Sequence, residues 1–153
     1  MKVENILSKL ISYPSISETS NLDIINFISD YLNKLDISSK KIMGTQGQYN
    51  LYCKIGPNLD GGIILSGHTD VVPISGQNWS TNPFQLIKKK NKFYGRGTAD
   101  MKGFIAVILS LIPEIKKKKL KKPIHLVFSY DEEIGCIGIQ KLKPFLKKIN
   151  PKP

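Results

Sequence analysis

The stretch Ile124-His125-Leu126-Val127-Phe128-Ser129-Tyr130-Asp131-Glu132-Glu133 decides how this chain folds. Its first six residues are almost continuously apolar, the pattern of a strand buried on both faces. An earlier run, Ile63-Ile64-Leu65-Ser66, has the same character and leads into Gly67-His68-Thr69-Asp70. Between the two, residues 101–112 are apolar nearly all round, which predicts a buried helix ended by Pro113. Strand, helix and strand in this order predict an α/β domain, with a mixed, largely parallel sheet flanked by helices. Working outward, residues 3–12 and 20–35 read as helices, the second with Ser20 as N-cap and an apolar stripe through Leu22, Ile25, Ile28 and Leu32. Residues 49–55 alternate like a half-buried strand, and turns are expected at 44–47 and 57–62. Residues 84–87 and 92–94 form a predicted hairpin with 88–91 at its tip, and 137–149 form a final amphipathic helix.

Composition narrows the function classes. The chain has 153 residues, 41% of them hydrophobic and 23% charged, enough for one core. The apolar run at 104–113 is far short of the roughly 20 residues a bilayer requires. No membrane partner is therefore expected. Met1-Lys2-Val3-Glu4-Asn5 lacks a signal peptide's apolar core, and Cys53 and Cys136 form no CxxC pair, so a reducing, cytoplasmic location is the expectation. The net charge of +11 is lopsided, with six bases and seven acids in residues 1–76 against seventeen and five in residues 77–153. Of the 23 bases 22 are lysine, and isoleucine also occurs 22 times. Both residues have AT-rich codons, so base composition accounts for much of the basicity. No aromatic residues are interleaved as a stacking platform, which argues against a nucleic-acid partner.

Ligands of open α/β sheets bind beyond the carboxyl ends of the strands. There the chain places His68 and Asp70 after one strand, and Asp131, Glu132 and Glu133 after the other. Asp100 stands just before the central helix, at its positive end. Asp70 could orient His68 or close a simple Asx turn. Adjacent acids at the end of a buried strand are either a solvated loop or the ligand and general base of a metal-assisted hydrolase. Tyr94-Gly95-Arg96-Gly97-Thr98-Ala99-Asp100 fits neither phosphate-loop pattern, so its glycines point to close backbone approach. Arg96 is a substrate contact or an anchor for neighbouring backbone. His125, inside an apolar strand, reads as structural, as do Cys136, Trp79 and Phe84. The absence of a GxSxG elbow disfavours acyl-enzyme chemistry.

Four ordered segments resemble the peptidase M20 family of zinc amidohydrolases: Ser66-Gly67-His68-Thr69-Asp70-Val71-Val72-Pro73, then Trp79 with Pro83-Phe84, then residues 94–104, then residues 130–138. Within that family Gly97-Thr98-Ala99-Asp100-Met101-Lys102-Gly103-Phe104 and Asp131-Glu132-Glu133-Ile134-Gly135-Cys136 are most similar to the acetylornithine deacetylase branch. The resemblance implies a metal-dependent amidohydrolase with two zinc ions, for which cobalt can substitute. It implies His68, Asp100 and Glu133 as metal ligands, with Asp100 bridging, Asp70 orienting His68 and Glu132 as general base and acid. It also implies a cis peptide after Asp100.

The implied reaction is hydrolysis of an N-acyl amino acid, N2-acetylornithine to ornithine and acetate in arginine biosynthesis. Succinyl-diaminopimelate desuccinylase and other M20 aminoacylase or carboxypeptidase activities are the alternatives. Residues 1–153 are expected to form a partial M20-type catalytic domain, truncated on its C-terminal side and without the lid or dimerisation domain. A further carboxylate and a late histidine of relatives would then be missing, leaving the isolated chain weakly active or inactive. A complementing C-terminal fragment is an expected partner, and complete relatives are expected to be homodimers. A non-catalytic remnant and a basic nucleic-acid-binding module are the readings from other classes.

Overall fold

A computed structural model describes residues 1–149. The apolar strand before the acidic loop, β6 (Ile124–Ser129), lies inside a four-stranded sheet with β1 (Ser39–Met43), β2 (Tyr49–Ile55) and β3 (Ile63–His68), in the order β1-β2-β6-β3. The sheet is mixed. β3 runs parallel to β6, with His68 level with Ser129, and β2 is antiparallel to both β1 and β6. The turn at residues 44–48 is too short for anything but a hairpin, whereas α3 (Lys102–Lys116) lies in the crossover that returns the chain parallel to β3.

Register sorts the side chains onto two faces. Leu51, Cys53 and Ile55 of β2 stand opposite Phe128, Leu126 and Ile124 of β6. With α1 (Val3–Ile11), α2 (Leu22–Asn33) and α3 they form the core, through Ile6, Leu10, Ile25, Ile28, Leu32, Ile105 and Leu109. On the other face, α4 (Ile137–Ile149) packs Phe145 edge-on against Tyr52 at 4.7 Å and accepts a 3.0 Å hydrogen bond from Asn50 at the Gly138 carbonyl. A small hairpin, β4 (Ile87–Lys89) and β5 (Lys92–Tyr94), turns at Lys90 and Asn91, both at positive φ. No helix among the described residues is long and apolar enough to cross a membrane.

The expected β2, β6 and α4 coincide with the observed elements; the expected hairpin is present with its first strand at Ile87–Lys89 rather than 84–87, and four other points differ from expectation. β1 is not foreseen, because Ser39-Lys40-Lys41-Ile42-Met43 is a lysine-bearing edge strand without apolar alternation. β3 is not buried on both faces: it is an edge of the described sheet, Ile63 and Ser66 are exposed, and only Gly67 and His68 are covered. Asn21, not Ser20, occupies the N-cap of α2, and its amide bonds to Tyr49 and Thr69 instead of capping the helix. Finally, α3 runs through Pro113 to Lys116 and leaves Phe104, Val107 and Leu111 exposed. Proline has no N–H for the Leu109 carbonyl one turn back. That carbonyl instead accepts a 3.1 Å hydrogen bond from the Tyr31 hydroxyl of α2, so the helix continues.

Candidate metal centre

Parallel pairing of β3 with β6 brings the ends of both strands to one rim. His68 is the last residue of β3, and the pairing continues as the Thr69 amide donates to the Ser129 carbonyl at 2.8 Å. Asp70 is buried and takes three hydrogen bonds at its carboxylate: from the Ser17 hydroxyl at 2.9 Å, the Glu132 amide at 3.1 Å and the Glu133 amide at 3.2 Å. The strand-end histidine and the acidic loop are thus joined through one side chain. His68 Nδ1 lies 3.0 Å from the Asp70 main-chain carbonyl and 3.5 Å from its carboxylate. That leaves Nε2 facing the acids, 3.0 Å from Asp100 Oδ1 and 3.6 Å from Glu132 Oε2.

Asp100 arrives from the loop before α3, where its peptide bond to Met101 is cis. Close approach explains one glycine of this loop and one in the first turn of α3. A Cβ on Gly103 would lie 2.2 Å from the Thr98 carbonyl oxygen, and Gly97, at φ +86°, lies against Val71 and the stem of Lys102. Arg96 anchors the neighbouring loop, donating to the Pro73 carbonyl and to Gln77 while its guanidinium lies 5.1 Å from the Trp79 ring. His125 bridges Tyr52 at 2.8 Å and the Gly61 carbonyl at 3.0 Å, away from the rim.

Donor atoms of His68, Asp100 and Glu133 lie within 4.8 Å of one another. One imidazole and two carboxylates at that spacing suit a divalent cation. The electrostatics agree with it. Burial, and then the charge of Asp100, pushes the Glu133 carboxyl up, while nearby His68 offsets only part of this. Burial pulls His68 down, but hydrogen bonds to Asp70 and Asp100, with the charge of Asp70, outweigh it and raise the imidazole to about 9. Burial likewise opposes ionisation of Asp70, yet its bonds from His68, Glu132, Ser17 and Glu133 hold it below the usual carboxylate range. The cluster is an open rim. Two clefts, of about 700 Å³ beside Tyr52, Leu120 and Phe145 and about 530 Å³ beside Phe27 and Tyr31, include none of these residues.

All five residues singled out in the sequence, His68, Asp70, Asp100, Glu132 and Glu133, meet at this rim. Ser17 and Lys102 are additions that only the structure supplies. Lys102 is completely buried, donates to the Tyr13 carbonyl at 2.6 Å, and is pulled down to about 7 by burial. Nothing distinguishes it in a chain with 22 lysines.

The sequence signature of Peptidase family M20/M25/M40 matches residues 64–152, from β3 onward and including His68, Asp70, Asp100, Glu132 and Glu133. The chain belongs to this family. An acetylornithine deacetylase of Shigella sonnei is 39% identical over 141 residues, 87% of this chain and 37% of that protein. An M20 family metallo-carboxypeptidase from Sulfolobus solfataricus superposes with a TM-score of 0.84 at 23% identity, covering 97% of this chain and 35% of the other. Human carnosine dipeptidase 1 gives 0.82 at 22% identity, over 95% and 35%. At such identities these two structures establish the fold alone. The chain therefore has an M20 fold and spans little more than a third of the length of these relatives.

Proposed function

We propose that residues 1–153 are the N-terminal, metal-holding part of an M20 catalytic domain that hydrolyses the amide bond of an N-acyl amino acid, with N2-acetylornithine as substrate and ornithine and acetate as products. The observation that carries this reading is the meeting of His68, Asp100 and Glu133 donor atoms within 4.8 Å, beside a further carboxylate that is not one of the three. His68, Asp100 and Glu133 would hold zinc, or cobalt in its place, and a second ion would draw further ligands from polypeptide outside this chain. Such a cation supplies Lewis acidity and lowers the pKa of water. Asp70 positions His68 through the contacts at Nδ1, which direct Nε2 toward Asp100 and the rim. Glu132, partly exposed with Oε2 3.6 Å from His68 Nε2, would take the proton of the attacking water and return it to the departing amine.

The 39% identity to an acetylornithine deacetylase supports that substrate over the desuccinylase, aminoacylase and carboxypeptidase alternatives. This chain covers 37% of that relative, and we propose that a C-terminal fragment corresponding to the remainder completes the site and that the whole assembles as a homodimer. The test is zinc titration by calorimetry, then N-acetylornithine turnover with and without such a fragment. Saturable binding lost in His68→Ala, with turnover restored only by the fragment, is the expected result. Glu132→Gln should abolish the restored turnover and leave zinc affinity within about threefold, since Glu132 is outside the donor group. Zinc binding indifferent to His68 would sink the proposal.

A further inference from the structure

The acidic loop holds a third carboxylate that faces away from the rim. Asp131 is 5% exposed, with backbone in the left-handed region at φ +49°. Oδ1 accepts the Glu18 amide at 2.8 Å, and Oδ2 accepts Gln48 Nε2 at 2.6 Å. Gln48, 1% exposed, closes the turn between β1 and β2. Its Oε1 accepts the Thr45 hydroxyl at 3.2 Å, and its carbonyl accepts the Gly44 amide at 2.8 Å. A buried carboxylate is tolerated when its oxygens are hydrogen-bonded, and here both are taken by N–H donors from distant segments. The next two residues are gripped from the opposite side, where the Glu132 and Glu133 amides donate to Asp70. The loop then folds back, with the Ile137 amide donating to the Asp131 carbonyl at 3.0 Å at the start of α4.

From these contacts we infer that Asp131 and Gln48 are a positioning pair for the rim, holding the backbone of Glu132 and Glu133 where Glu133 joins His68 and Asp100 and Glu132 stays outside that group. Asp131 touches neither substrate nor cation. It acts through the two residues that follow it. Without the Gln48 bond, the Asp131 carboxylate is held only by the Glu18 amide, and its buried Oδ2 loses its donor. The pair deepens the metal-site reading but does not depend on it for its test.

The experiment uses the full chain and two variants. Gln48→Met removes the donor at nearly constant length. Gln48→Glu with Asp131→Asn exchanges amide and carboxylate. The amide then at position 131 still accepts from Glu18 and now donates to position 48, whose other oxygen accepts from Thr45. Three quantities are read: zinc affinity by calorimetry, metal-free amide exchange at Glu132 and Glu133 by NMR, and the melting temperature. In Gln48→Met the zinc affinity should fall at least about tenfold, as for other groups that orient ligands. The two amides should exchange more than about tenfold faster, with Ile105 and Leu109 of α3 unchanged. The exchanged pair should recover both within about threefold. A lower melting temperature with unchanged affinity and unchanged amides would overturn the inference, as would failure of the exchanged pair to recover the amides. If the wild-type chain binds no zinc while the amides respond as stated, the metal reading fails and the pair stands. If His68-dependent binding persists unchanged in Gln48→Met, the reverse holds. Should Gln48→Met not fold, Asp131→Asn alone supplies the same contrast against the exchanged pair.

Discussion

His68 carries the chain's most consequential charge. Its imidazole, raised to about 9 in the metal-free fold, must lose a proton to ligate a metal. Zinc affinity should therefore rise about tenfold per pH unit toward pH 9 and then level, with close to one proton released at pH 7. Calorimetry in two buffers of different ionisation enthalpy measures that proton, and a pH-independent affinity would refute the assignment. The same shift sets a stability trend in the absence of metal. Because the folded value lies above the unfolded one near 6.5, the His68 contribution is complete below pH 6.5 and is lost as pH rises through about 9. Chemical type and spacing make His68, Asp70, Asp100, Glu132 and Glu133 legible in the sequence. Ser17, Gln48 and Lys102 are not legible there, because a serine, a glutamine and a lysine acquire meaning only from partners far along the chain.

At the scale of elements, the join between α2 and α3 shows how a rule of local structure is overridden. Pro113 reads as a helix end, yet Tyr31 supplies the hydrogen bond that the proline removes from the Leu109 carbonyl. Tyr31→Phe should leave that carbonyl unpaired and cost about 1–3 kcal/mol. Pro113→Ala restores an N–H one turn away, so the loss in Tyr31→Phe with Pro113→Ala should be smaller than in Tyr31→Phe alone. Thermal melting of the four proteins closes the cycle, and strict additivity would dismiss the exchange of partners. Strands β2 and β6 are readable because covered faces impose their own pattern. β1 is not, because an edge strand needs only backbone pairing and tolerates Lys40 and Lys41.

Taken whole, the molecule is covered unevenly. Three helices bury one face of the sheet, whereas among the described residues β3 is an unpaired edge and α3 shows Val107 and Leu111 half-exposed. Substituting both with lysine should leave the melting temperature nearly unchanged, because exposed positions carry little folding energy. The same change should reduce self-association of the isolated chain in sedimentation, since apolar patches drive it. Melting several degrees lower would show instead that the stripe belongs to the core. With that acetylornithine deacetylase about two and a half times as long as this chain, the proposed complement would pack at the rim and against this exposed stripe.

The sequence by itself determined the α/β class, the two strands and helix that converge on the rim, and the residues able to do chemistry there. Those depend on periodicity and residue type, which are local properties. Only the tertiary structure decided that β3 is an edge, that α3 outlasts its proline, that Asp70 grips the acidic loop, and that Asp131 turns inward to Gln48. Each of these is a hydrogen bond or a covered face between segments distant in the chain. Such pairings follow from how whole elements pack, and no window of neighbouring residues contains them.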